Sequence, residues 1–169
     1  APGAIVHDLY VKKANGRHAQ IDLVVAAKVG LIVFEVKDYS GWIFGRGNQD
    51  KWTQVLAYGR DKYRFYNPIK QNAGHIAELQ KQSKQMSEIP MFSVVVFYGG
   101  CTLRDVSIIP HNTYVTTWRR ALDVVDTILE ENELANYTDK HEIVRILKAA
   151  VENGAKENMA EQHADAVQD

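Results

Sequence analysis

At 169 residues the chain has the length of one domain and can bury a core without disulfide or metal staples. With 46% hydrophobic and 24% charged residues it falls outside the collagen-like, disordered and disulfide-scaffold classes, and a lone cysteine, Cys101, rules out an internal bridge. The net charge of -1 predicts no polyanion partner by itself, yet residues 1–76 hold 11 Lys and Arg against 6 Asp and Glu, whereas residues 77–169 hold 9 against 15. Such asymmetry suggests a phosphate-tolerant working face and a solvated acidic remainder. No apolar run approaches the roughly 20 residues that cross a bilayer, so no membrane span is expected in this chain. Ala1-Pro2-Gly3 reads as the cut end of a longer polypeptide, and the single thiol fits a reducing, cytoplasmic setting.

The first half reads as strands. Asn15-Gly16 marks a hairpin turn between a strand near Ile5 to Val11 and a second from about Arg17 to Ala27, and Lys28 to Gly30 turns into a third from Leu31 to Lys37. Ser40-Gly41 precedes a short strand at Trp42 to Phe44. Trp52 to Tyr58 is ambiguous between strand and short helix, and Lys62 to Tyr66 resembles a strand. Asn67-Pro68 opens a helix to about Lys84, because Asn is a favoured N-cap and Pro a favoured first helical residue. Met91 to Tyr98 is apolar on both faces, as a central strand covered from both sides would be, and Gly99-Gly100 ends it. Short strands are expected at Val106 to Ile109 and Thr113 to Thr116, with helices near Trp118 to Asn132 and Asp139 to Asn153. Residues 1–153 then form one domain, and residues 154–169 a tail or frayed helix.

The third strand carries the chemistry. Side chains two apart on a strand share a face, so Glu35 and Lys37 project together, with Cα atoms about 6.5–7 Å apart. A turn centred between Lys28 and Val29 would set Asp22 directly across from Glu35. Two carboxylates and an ammonium then meet in apolar sequence, where an uncompensated charge costs several kcal/mol or more. A structural ion pair of Lys37 with either acid would neutralise only one of them. Two carboxylates, a backbone carbonyl and waters suit Mg²⁺, a hard ion that keeps water and meets phosphate oxygens. The six histidines show no H-x-x-x-H or H-x-H spacing, and one cysteine supplies no thiolate cluster, which disfavours zinc.

Asp22, a gap of 12 residues, then Glu35-Val36-Lys37 after an apolar strand resembles the PD-(D/E)xK nuclease motif. The wider series is similar to the nuclease-related domain, NERD: Gln20-Ile21-Asp22, Gly30, Glu35 through Gly45, Trp52, Asn67-Pro68-Ile69-Lys70-Gln71-Asn72 and His75. The resemblance runs from about Asp8 to His75 and weakens to general agreement up to about Ala150. It implies an α/β fold with a restriction-endonuclease-like core, a mixed central sheet flanked by helices. It also implies Mg²⁺-dependent hydrolysis of DNA, with Mn²⁺ able to substitute. By the same resemblance Asp22, Glu35 and the Val36 carbonyl would hold the metal, and Lys37 would position water and stabilise charge on the phosphate. Enzymes of this superfamily usually carry a further acid on a helix before the first core strand, and this sequence opens directly before that strand.

Weaker signals surround this motif. Lys51, Arg60, Lys62 and Arg64 alternate with aromatic residues, as in a groove that tracks a phosphate backbone, or equally in an edge strand with solvated charges. Gln71 and His75 lie four apart on one helical face, and the resemblance places both near the site, with Gln71 touching metal-bound water or phosphate; capping or bracing of a sheet edge is the plainer role for Gln71. Trp42 and Trp52 read as packing residues and Cys101 as a structural thiol. Three functions stand against one another: a metal-dependent DNA nuclease, a weak or inactive nuclease-fold DNA-binding module, and a protein-interaction domain working through its acidic helices. A homodimer would serve cutting of both strands, and fusion to other domains would fit a longer parent.

Overall fold

The computed structural model describes the backbone of residues 3–168 and the side chains of residues 3–156. β1 (Ile5–Lys12), β2 (His18–Ala27) and β3 (Gly30–Asp38) form consecutive hairpins. β3 then pairs in parallel with β7 (Met91–Tyr98), and β7 in parallel with β9 (Thr113–Thr117). The result is a five-stranded mixed sheet in the order β1-β2-β3-β7-β9. A second sheet follows the order β6-β5-β4-β8, built from β4 (Gly41–Arg46), β5 (Lys51–Leu56), β6 (Asp61–Tyr66) and β8 (Cys101–Ser107). β4 and β8 are parallel, as are β3 and β7, so two neighbouring strands leave the first sheet together and enter the second side by side. Glycines sit at both crossings, Gly41 at φ 79° and Gly99 at φ 102°, where a side chain would be strained and would strike Val55 or Asp38.

Helices cover the mixed sheet on both faces. α1 (Pro68–Gln80), α2 (Lys84–Glu88) and α4 (Lys140–Gln168) bury Leu79, Met86, Ile143 and Leu147 against Leu9, Ile21, Val24 and Val33. On the opposite face α3 (Ala121–Glu131) sets Ile128 against Ile32, Phe34, Phe92 and Val94. β7 is therefore apolar on both sides, as expected from its sequence. The inner face of the second sheet closes over the far end of the α1 face, packing Ile43 and Trp52 with Ile69, Val95 and Phe97. No helix among the described residues is long and apolar enough to cross a membrane.

Several boundaries differ from the sequence reading. The strand expected at Val106 to Ile109 is β8, which begins at Cys101 straight after Gly99-Gly100 and ends before Ile108 turns to φ 56°. The diglycine is a crossing between sheets and not only a strand end. α1 stops at Gln80, and Ser83 caps α2 by accepting from the Met86 N–H. The helix expected from Trp118 starts as a single 3₁₀ turn before α3, and α4 runs on to Gln168 across the residues read as a tail or frayed helix. Trp52 is fully buried, but Trp42 points outward and is 37% exposed, because it occupies the outer face of β4.

Asn67 joins the second sheet to α1. Its side-chain oxygen accepts from the Ile69 N–H at 2.8 Å, and its amide donates to the carbonyls of Gly47 and Gln49 at 3.0 and 2.7 Å. The residue is completely buried, so removing it strands those carbonyls as well as the helix end. Asn67→Ala is expected to lower unfolding free energy by about 2–4 kcal/mol, against about 1 kcal/mol for Ser83→Ala, which removes a cap alone. Urea unfolding of both variants checks this; equal losses would mean that Asn67 acts only as a cap.

Candidate active site

The odd-numbered residues of β3 face α1. Leu31 and Val33 are fully buried on that side, and the next two positions are Glu35 and Lys37. The strand thus carries its apolar face directly into a charged pair. Lys37 Nζ lies 3.2 Å from Glu35 Oε1, with the two side chains 19% and 6% exposed. Parallel pairing sets Glu35 beside Val95 and Lys37 beside Phe97, both buried, so the pair sits in a low-dielectric surround.

Asp22 arrives by a local irregularity. The β2–β3 ladder has the expected register but stops at Leu23 and Phe34, one pair short of Asp22 and Glu35. The β1–β2 ladder skips Asp8 and Asp22, with Asp8 at φ 55°. Val6, Leu9 and Val11 nevertheless reach one core, as do Ile21 and Val24, which regular alternation forbids. Both strands turn over at the same level, and the cross-strand register survives. The Asp22 carboxylate therefore leaves the ladder and accepts from the Val36 N–H at 2.8 Å. N–H and C=O of one residue leave a strand on the same side, so the Val36 carbonyl also faces Asp22.

α1 closes the site from above. Asn72 donates to the Val33 carbonyl at 2.9 Å and to Ser93 Oγ at 2.8 Å, clamping the helix onto β3 and β7. One turn further, His75 Nδ1 stands 3.4 Å from Glu35 Oε2. The two atoms are not aligned for a hydrogen bond, and both are buried without a partner. Burial first, then the Asp22 charge, pushes the Glu35 carboxyl up to about 7, with Lys37 opposing. Burial lowers His75, helped by the positive charges of Lys37 and Lys13 and opposed by Asp22. A buried carboxylate oxygen without a donor beside a second carboxylate is an oxygen-rich place that invites a cation. Among the described residues no third Asp, Glu, His or Cys side chain completes a larger ligand cluster.

A cleft of about 440 Å³ opens beside His75, lined among others by Lys13, Gln20, Tyr66, Lys70 and Gln71. Gln71 and His75 share this wall, as their spacing predicts. Lys70 is held by Asp50 at 2.6 Å. Lys51, Arg60, Lys62 and Arg64 are all exposed and lie apart on the second sheet and its hairpin tip, with Lys51 nearest the cleft, over the Tyr66 ring at 5.8 Å. Cys101 is half-buried, and burial raises its thiol, which suits an inert packing role. The contact of His75 with Glu35 was not legible from local pattern, because it depends on how α1 seats across the sheet.

Residues 2–98 match the model of the nuclease-related domain, and the chain belongs to that family. An uncharacterized protein of Bacillus anthracis is 29% identical over 147 residues, covering 87% of this chain and 67% of the relative. No solved structure gives a significant match.

The raised Glu35 carboxyl has a consequence for stability. The folded state holds this proton more tightly than the unfolded chain does, so stability falls as pH rises from the ordinary carboxylate range through about 7. Glu35→Gln keeps the shape of the protonated acid and escapes that loss. In chelator it should be more stable than the parent by about 2–3 kcal/mol at pH 8 and nearly equal to it at pH 4.5. Denaturant unfolding at the two pH values tests this; a pH-independent difference would overturn it.

Proposed function

We propose that this nuclease-related domain hydrolyses phosphodiester bonds of DNA at the Asp22, Glu35 and Lys37 cluster, using Mg²⁺ or, in its place, Mn²⁺. The observation that carries this reading is the Glu35 Oε2 atom, buried, unpartnered and next to the Asp22 carboxylate. Asp22, Glu35 and the Val36 carbonyl form an all-oxygen donor set that fits Mg²⁺, which typically takes one or two carboxylates and fills its shell with water and phosphate oxygens. Such an ion lowers the pKa of a bound water and offsets charge on the phosphate.

The chain's own residues divide the remaining work. Lys37, anchored on Glu35, orients the attacking water and meets negative charge as it builds on the phosphate oxygens. The clamp at Asn72 seats α1 on β3 and β7 and so sets His75 beside Glu35. Gln71 lines the approach for water or phosphate. Lys51, Arg60, Lys62 and Arg64 draw the DNA backbone toward the cleft. DNA as substrate and an unpaired thiol fit work in the cytoplasm.

A second reading is a nuclease-fold module that binds DNA but cuts it weakly or not at all. It is favoured by one observation, the Lys37 ammonium 3.2 Å from Glu35 Oε1, which is also the geometry of a structural ion pair. Nicking of supercoiled plasmid with Mg²⁺, Mn²⁺ or chelator separates the two. Metal-dependent nicking should fall by at least about 100-fold in Glu35→Ala and in Lys37→Ala. Activity that survives both substitutions would sink the assignment, and salt-dependent binding without any cutting would install the binding-module reading.

A further inference from the structure

The outer face of the second sheet carries, beside the cations already given to the DNA backbone, aromatic side chains that the site described above does not use. Alternation and pairing place Trp42, Val55 and Lys62 in one row and Phe44, Thr53 and Arg64 in the next, with Lys51 opposite Tyr66 at the end. These are the side chains that do not join the Ile43, Trp52 and Phe65 cluster on the inner face. No core cluster forms on the outer side among the described residues, and Lys51, Lys62, Arg64 and Tyr66 are exposed. At the other end the β4–β8 register shifts between Ile43 and Phe44, and Arg104 from that irregularity lies 5.1 Å over the Trp42 ring. The face holds five cations, Arg46, Lys51, Lys62, Arg64 and Arg104, against one acid, Asp105, which pairs with Phe44. Indole and phenol rings offered to water, interleaved with fixed cations, cost solvation and side-chain freedom that a merely solvated sheet face need not give up.

We propose that this face is a stacking platform for single-stranded nucleic acid. Bases stack on Trp42, extended by the Arg104 guanidinium, and on Tyr66, while Lys51, Lys62 and Arg64 take the phosphates. A duplex would use the cations alone, since its bases are already stacked on each other; the aromatic rings therefore select an unpaired strand. Across the sheet from β8 to β6 the platform spans three strand spacings, roughly 14 Å. It also has a direction. Tyr66 ends the platform and lines the cleft that leads past Gln71 to His75, so a strand lying on the sheet is delivered toward Glu35. For that destination the proposal rests on the nuclease reading; for its ligand it rests on the face alone.

Fluorescence anisotropy in chelator, with a fluorescein-labelled oligothymidine and a duplex of the same length, tests the proposal on the intact chain. The single strand should bind more tightly. Trp42→Ala should weaken it by about tenfold or more and change duplex binding by less than about twofold. Trp42→Phe should restore most of the loss, which a folding defect would not. Removing Lys62 and Arg64 together should flatten the dependence of log K on log salt by about 1.4 for the single strand. Binding that ignores Trp42, or a duplex bound as well as the single strand, would overturn the platform even if plasmid nicking requires Glu35. Conversely, Trp42-dependent binding retained in Glu35→Ala supports the platform even if no form of the protein cuts, in which case only the nuclease reading falls.

Discussion

Everything in this domain that bears on chemistry follows from placing a carboxylate at the buried end of an apolar strand. Glu35 is forced inward because β3 supplies Leu31 and Val33 to the same core face, and the alternation of a strand cannot release the next residue on that side. The position is unfavourable for an ionised acid, and the surroundings only partly relieve it. Lys37 balances one charge, Asp22 adds another, and His75 approaches without donating. Such residual electrostatic conflict is stored where a charged ligand can resolve it.

The scaffold keeps that conflict from relaxing. Asn72 fixes α1 to both central parallel strands, Asn67 fixes its first turn to the second sheet, and the mirrored irregularities of β1 and β2 aim Asp22 into the plane of the sheet. Among the described residues, the buried side-chain atoms left without a partner are Glu35 Oε2, His75 Nδ1 and Asn72 Oδ1, all at the contact of α1 with β3.

The nearness of the candidate residues on β2 and β3 was legible in the sequence, because the turn register brings Asp22 level with Glu35 and a two-residue period sets Lys37 on the face of Glu35. The central strand β7 and the Asn67-Pro68 helix start were equally plain, since double-sided burial and capping leave local marks. What local pattern could not give was partnership. Nothing in β4, β5 and β6 says that they form a sheet of their own, and Gly99-Gly100 has the same appearance whether it ends a strand or carries it across. Trp42 looked like a core residue because an aromatic residue in a strand usually is one. The paired turnover at Asp8 and Asp22 was hidden because both strands shift together and leave the register intact.

The joint crossing of β3 into β4 and β7 into β8 also bears on where this family's unit can be cut. The region matched by the family model closes at residue 98, the last residue of β7. Yet β4 finds its parallel neighbour in β8, β7 its outer neighbour in β9, and the second face of the mixed sheet its cover in α3, all supplied by chain beyond that point. A fragment excised at residue 98 would expose two unpaired strand edges and an uncovered apolar face, a composition prone to aggregate. The stretch that identifies the family is therefore shorter than the stretch that folds.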